Sequence, residues 1–328
     1  MNYPELQDEE FSFLVTGSAG FIGVNIALRL LALGQRVVAL DDLSTGKQVN
    51  IDKLEAAAQG AGSFRFIKGD IRDRELCMDA AAGVDYIMHQ AALGSVPRSI
   101  NDPVTSTEVN LMGTVNMLAA AKERKVRKFV YASSSSVYGD APALPKIEGN
   151  EGTTLSPYAA GKLCDEIFAA NFHRVYGLPV VGLRYFNIFG PMQDTGSAYA
   201  AVIPIFVREL LAGRAPTING DGETSRDFTF VDNAVQANIK AALSGDRASG
   251  KSFNIACGRR ATLNELYEKI ALLLGKDITP VYAAERPGDV RHSLAGIGLA
   301  RALIGYEPEV DFERGLELSI EWYKDALR

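Results

Sequence analysis

Phe11-Ser12-Phe13-Leu14-Val15-Thr16-Gly17-Ser18-Ala19-Gly20-Phe21-Ile22-Gly23 decides the fold. The apolar run up to Thr16 reads as a buried strand, and the residues after Gly20 read as the start of an amphipathic helix. Three glycines in a GxxGxxG pattern sit in the turn between them. Gly17 suits a tight turn, Gly20 removes a side chain where backbone would approach a pyrophosphate, and Gly23 lets the helix lie close to the sheet. The helix start, with Phe21 and Ile22, offers unpaired N–H groups and partial positive charge to phosphates. A glycine pattern alone is a weak sign. Its place between a strand and a helix makes it a dinucleotide cradle.

Working outward, short apolar runs at 11–16, 36–41, 64–68, 84–89, 128–132 and 179–184 alternate with helical patterns at 22–33, 106–125 and 157–176. This rhythm predicts an α/β, Rossmann-like, doubly wound parallel sheet, with ligands at the carboxyl ends of the strands. After about Tyr185, turn-rich segments and shorter helices replace the rhythm. The division expected is a nucleotide domain of residues 1–186 plus about 226–260, and a smaller, discontinuous substrate lobe of 187–225 and 261–328. The strand-like stretch 252–256 is expected back in the main sheet.

The bulk composition excludes several classes. The 328 residues are 47% hydrophobic and carry a formal net charge of -6, so a nucleic-acid partner is not expected. Three widely spaced cysteines and three histidines suggest neither a disulfide framework nor a metal site. The start, Met1 to Glu10, is acidic and polar rather than a leader, and no apolar run reaches spanning length. A cytoplasmic protein without membrane contact is the expectation.

The second strand ends in Asp41-Asp42. A carboxylate there accepts hydrogen bonds from ribose hydroxyls and repels a 2′-phosphate, so NAD is preferred over NADP. Asp70 and Ile71 end the third strand near the adenine edge. Gln90, Ala91 and Ala92 after the fourth strand, and Tyr185 after the sixth, complete the candidate cofactor contacts. Ser156-Pro157 opens a helix whose Tyr158 and Lys162 share one face. An ammonium near a phenol lowers its pKa, so Tyr158 suits acid–base work near neutrality, and Lys162 also suits the nicotinamide ribose. The fifth strand runs into Ser133-Ser134-Ser135-Ser136-Val137-Tyr138-Gly139, whose hydroxyls can reach a reacting oxygen. On the second lobe, Arg226, Arg286 and Arg291 suit a diphosphate, and Asp289 suits ribose hydroxyls, although a surface ion pair is the plainer reading of Arg291.

The ordered set of glycine loop, Asp41, serine run and Tyr158-Ala159-Ala160-Gly161-Lys162 resembles the extended short-chain dehydrogenase/reductase family over essentially the whole chain. The resemblance implies that Ser134, with Ser135 and Ser136 beside it, hydrogen-bonds the substrate oxygen. Dehydratases and decarboxylases of that family place an acid in this segment. The serines here imply reversible oxidation at C4 instead. Arg226 and Arg286 then look like diphosphate ligands and Asn187 like the family's substrate-binding asparagine, while Ala201, Val202 and Asn219 line a uracil pocket. The segment from His89 to Ser99, the serine run, Gly220 to Phe228 and Gly288 to Ser293 resemble the bacterial branch that epimerises UDP-N-acetylhexosamines, UDP-GlcNAc to UDP-GalNAc, through a transient 4-keto sugar with tightly bound NAD. Ser293 aligns where glucose-restricted relatives carry a bulky tyrosine, which leaves room for a 2-acetamido group. Ser95, Arg98 and Gln193 are further candidates for sugar contacts. The alternatives are a UDP-uronic acid 4-epimerase, with Arg98 as the added cation, and a non-catalytic NAD-binding sensor. Relatives pair as homodimers through helices matching 106–125 and 157–176. Here Leu118 to Ala121 and Ile167 to Ala170 would either serve that interface or face the sheet.

Overall fold

A computed structural model describes residues 3–59, 62–194, 201–285 and 291–327. Six strands follow in chain order: β1 (Ser12–Thr16), β2 (Arg36–Asp41), β3 (Phe64–Lys68), β4 (Tyr86–His89), β5 (Lys128–Ser134) and β6 (Val180–Tyr185). With the strand Lys251–Ile255 they form one parallel sheet of seven, ordered Lys251–Ile255, β6, β5, β4, β1, β2, β3. Strands covered by helices on both faces read as continuous apolar runs, and every residue of β1 and β6 is buried. The expected return of the late strand to the sheet is met, beside β6.

Two apolar layers flank the sheet. One joins Val24, Leu30 and Val37 to Val235 and Phe253, and the other joins Leu40, Ile87 and Phe129 to Met117 and Ala169. A third core, built from Phe189, Phe206, Phe228, Phe312 and Tyr323 among others, belongs to the smaller lobe. The lobe division expected from sequence differs in one stretch: Ala295, Ile297, Ala300, Ile304 and Tyr306 pack into the sheet's own core, because their apolar faces meet Phe253 and Ile255 rather than the lobe.

The helix expected over 106–125 starts earlier and is broken. An α-turn, Pro103–Thr107, passes through a π-turn, Glu108–Met112, before the regular helix Gly113–Arg124. The extra residue turns Asn110 toward the chain after β4, where it accepts from Leu93 N at 2.7 Å and donates to Leu93 O at 3.2 Å. The helix Pro157–Tyr176 has the predicted bounds, with Pro157 in its first turn and the Ser156 hydroxyl accepting from Ala159 N. No helix among the described residues is long and apolar enough to cross a membrane.

Candidate active site

The glycine turn is built as a cradle. Gly17 holds φ of +65°, and a Cβ there would lie 2.7 Å from Ala91 N. Gly23 admits none either, since its Cβ would meet Gly17 O at 2.1 Å. No side chain caps the N-terminus of the helix Phe21–Ala32, so its first N–H groups remain for a phosphate. A pocket of about 80 Å³ opens beside this turn, lined by Gly17, Gly20, Asp41, Asp42, Asp70, Ile71 and Gln90 to Leu93. The residue types fit a dinucleotide: bare backbone for the phosphates, and a carboxylate at the end of β2 for ribose hydroxyls.

Asp41 also braces the turn. Its Oδ2 accepts from Ala19 N at 2.9 Å and its Oδ1 from Leu43 N at 2.8 Å, while burial pushes its carboxyl pKa up. Asp42 caps the next turn through Ser44, and Asp70 pairs with Arg72, which holds its carboxyl low. Phe21 leans on the core of the smaller lobe and Ile22 on that of the sheet. Tyr185 lies in the core, outside the pocket lining. Its hydroxyl donates to Gln90 Oε1 and accepts from Asn238 Nδ2, so it touches the cavity only by way of Gln90. Gly17→Ala is expected to weaken NAD binding about tenfold, roughly 1.4 kcal/mol, since the added Cβ meets the backbone of Gln90 and Ala91 and must displace the turn that faces the phosphates. Calorimetric titration with NAD checks this, and unaltered affinity would remove Gly17 from the cradle.

At the carboxyl end of β5, Ser134 Oγ accepts from Ser136 N at 3.2 Å and from the Ser136 hydroxyl at 2.9 Å. Ser135 opens the 3₁₀ turn Ser135–Tyr138 that packs on the Pro157–Tyr176 helix. Tyr158 is half-buried in the first turn of that helix, and among the described residues its hydroxyl has no partner. Its backbone N–H donates to Ser99 Oγ at 3.1 Å. Ser99 was not singled out from sequence, because only the fold brings residue 99 to residue 158. Lys162 is buried, and its ammonium donates to Ala132 O at 2.9 Å and to Asp165 Oδ2 at 3.2 Å. The helix thus delivers the lysine to β5 two residues before Ser134.

The second cavity, about 380 Å³, is lined by Asn187, Ala201, Val202, Asn219, Arg226 and Arg291, with Phe189, Phe206 and Phe228 among its apolar walls. Arg286 and Asp289 fall outside the described residues. Arg291 both lines the cavity and pairs with Asp221 at 2.8 Å. Asn187 holds a φ of +42°, which asparagine tolerates, and its Nδ2 donates to Asp227 O at 3.1 Å. The Asp227 carboxylate is buried beneath Arg226 and accepts from Cys257 N at 3.0 Å, Gly258 N at 3.1 Å and Ala295 N at 3.2 Å. Ser293 N donates to Ser225 O at 3.0 Å, which sets Ser293 beside the strand residue preceding Arg226. Gln193 spends its amide on Ile188 O and the Tyr323 hydroxyl. Ser95 caps the helix Val96–Asn101 that carries Arg98. Among the described residues, no three His, Cys, Asp or Glu are grouped to hold a metal ion.

The profile of the NAD dependent epimerase/dehydratase family matches residues 13–256. The chain belongs to that family. It is 39% identical to a UDP-glucose 4-epimerase of Mycolicibacterium smegmatis, over 95% of this chain and 98% of that one. It is similar in structure to a UDP-N-acetylglucosamine 4-epimerase of Methanobrevibacter ruminantium in complex with UDP-N-acetylmuramic acid, with a TM-score of 0.91 and 38% identity over 97% of this chain and 99% of that one. A UDP-glucuronic acid 4-epimerase of Bacillus cereus, in complex with UDP-glucuronic acid and NAD, matches with a TM-score of 0.86 and 29% identity over 96% and 99%. The cofactor of this epimerase/dehydratase chain is NAD, and its relatives support an NAD-dependent UDP-sugar 4-epimerase.

Proposed function

We propose that this enzyme epimerises UDP-N-acetylhexosamines at C4, reversibly, UDP-GlcNAc to UDP-GalNAc. The observation that carries the reading is the meeting of Tyr158, Lys162 and the end of β5. Lys162 reaches the end of β5 near the Ser134–Ser136 hydroxyl pair, Tyr158 stands one turn earlier on the same helix, and Ser135 and Ser136 stand where elimination chemistry would require an acid. Tyr158 takes the proton from O4 and returns it, and Ser134 steadies that oxygen. Lys162 stabilises the phenolate and keeps one N–H direction for a ribose hydroxyl. NAD supplies the reversible oxidation of C4 when bound. Gly17, Gly20 and the start of the helix Phe21–Ala32, set close by Gly23, would hold its phosphates, and Asp41 its ribose.

On the substrate side, Arg226 with Arg286 grips the diphosphate. Asn187, Ala201, Val202 and Asn219 take the nucleoside end, with Asp289 toward its ribose, and Ser95 and Arg98 stand on the sugar side. Incubation of the purified protein with UDP-GlcNAc, UDP-GalNAc, UDP-glucose and UDP-galactose, with the products separated, tests this directly. The acetamido preference is assigned to Ser293. Ser293→Tyr is expected to lose roughly tenfold or more of kcat/KM on acetylated sugars and little on plain hexoses. Equal losses on both would dismiss the size argument.

A second reading, a UDP-uronic acid 4-epimerase, is supported by one feature: Arg98 is a cation on the segment that Ser99 ties to Tyr158. Turnover of UDP-glucuronate above that of UDP-GlcNAc would select it. Homodimer formation is part of the proposal. Leu118, Ala120 and Ala121 are buried against the sheet, whereas Ile167, Phe168, Val175 and Tyr176 stand exposed along the Pro157–Tyr176 helix as an apolar face suited to a second copy. A cytoplasmic setting goes with this reading.

A further inference from the structure

A chain of buried polar groups runs behind the site, and following its hydrogens leads to one residue the mechanism has not used. The Thr114 hydroxyl donates to Asn110 O at 2.6 Å, so it only accepts from its other neighbours. His89 Nε2, 3.1 Å away, must therefore donate to it. His89 Nδ1 is then bare and accepts from the Thr16 hydroxyl at 2.7 Å, which in turn accepts from Ala91 N. Burial, with help from Lys162, pushes the His89 imidazole down to about 3, so the ring is neutral.

Asp165 ends this chain. Both it and Lys162 are buried, with side-chain exposures of 1% and 3%, and they pair at 3.2 Å. Its Oδ2 takes the ammonium, but Oδ1 has no hydrogen-bond partner. The Thr114 hydroxyl lies beside the carboxyl and pulls it down, but less than Lys162 does, since its short bond goes to Asn110 O at 2.6 Å. A carboxylate whose second oxygen is buried and unserved holds a proton more readily than usual, and burial pushes Asp165 up to about 6 against the pull of Lys162. The charged and titratable groups around the pair are Glu166 on the same helix, His89 on β4, Tyr131 on β5 and Arg184 on β6.

We propose that Asp165 is a positioning residue for the Lys162–Tyr158 pair: its carboxylate pins the ammonium under the end of β5 and cancels part of the positive field that Tyr158 feels. This rests on Tyr158 being the acid–base group. The sign follows from charge. Where Asp165 is ionised, the phenolate sees a partly neutralised lysine. An asparagine there keeps an oxygen for Lys162 and gains an N–H for Thr114, so geometry persists while the negative charge goes. Tyr158 then ionises at lower pH.

The test is a spectrophotometric titration of Tyr158 in the NAD-loaded protein, taken as the tyrosinate difference against Tyr158→Phe in each background. Asp165→Asn, and Asp165→Ser as a second neutral variant, are expected to move the midpoint down by about one pH unit. In the Lys162→Met background the same change is expected to do nothing, because Asp165, buried without its cation, is protonated there and has no charge to lose. The acid limb of kcat with the UDP-hexose moves by the same amount, with KM unaltered. Coincident midpoints in wild type and Asp165→Asn overturn the proposal. So does an equal shift without Lys162, or failure of both neutral variants to fold. If no UDP-hexose is turned over by the wild type, the functional reading falls, and the tyrosinate midpoint still decides the role of Asp165.

Discussion

Tyr158→Phe lowers kcat by roughly 10³-fold, within the range a positioned acid–base group supplies, and leaves the dissociation constant of the UDP-sugar nearly unchanged. The asymmetry comes from where the tyrosine sits. Its ring is held by the first turn of the Pro157–Tyr176 helix, whose start is fixed by Ser156 and Ser99, so phenylalanine inherits the same place without the hydroxyl. That hydroxyl has no partner among the described residues, so its removal leaves no buried donor or acceptor behind. The cavity proposed for the nucleotide end of the substrate, lined by Arg226, does not include it. Steady-state kinetics beside calorimetric binding of UDP-sugar separates the two effects. A variant with wild-type kcat would move the base elsewhere, and a variant that lost binding and turnover together would make Tyr158 a binding residue.

The largest expected effect on stability belongs to Arg184→Leu. Arg184 grips Glu166 with both arms of its guanidinium, Nε to Oε1 at 2.9 Å and Nη2 to Oε2 at 2.7 Å, and its Nη1 reaches the Tyr138 hydroxyl and Glu151. The side chains of Arg184 and Glu166 are 6% and 10% exposed. Removing the arginine strands a carboxylate away from water, which costs about 3–5 kcal/mol. Denaturant unfolding at neutral pH reads this as a lowered midpoint with an unaltered slope. The double variant Arg184→Leu, Glu166→Leu recovers much of the loss, because only the more exposed Glu151 is then left without its cation. A single variant as stable as the wild type would show that water reaches Glu166. Activity falls as well: Glu166 accepts from the Ser133 hydroxyl at 2.5 Å, and Ser133 is the strand residue next to Ser134.

The sheet and the glycine cradle were legible because their signals are local. β1, β2 and β6 are apolar runs, and the first turn shows its glycines at the spacing the backbone needs. The helix Pro157–Tyr176 announced itself through Ser156 and Pro157 at its start, and Gly177 closes it in the left-handed conformation. The Thr16–His89–Thr114 relay was not legible, since each member is an ordinary residue until the strand order sets β1 beside β4 and the π-turn brings Asn110 against Leu93. Arg184 likewise reads as a strand-end arginine in the sequence and becomes the centre of a buried network only in three dimensions. For Tyr185 and Gln193 the residue type suggested a ligand, and the fold spends each on internal hydrogen bonds. The apolar run Leu118 to Ala121 carried two meanings that only burial separates.

Asp227 ties the strand carrying Arg226 to the end of the Lys251–Ile255 strand and to Ala295 on the main body. The backbone that carries Arg226 is therefore fixed to the main body. Were the diphosphate anchored there, the length of the pyrophosphate bridge would set which carbon of the ring swings past Tyr158. The protein would measure its substrate as a ruler does, and a sugar joined through one phosphate would bring a different atom to the phenol.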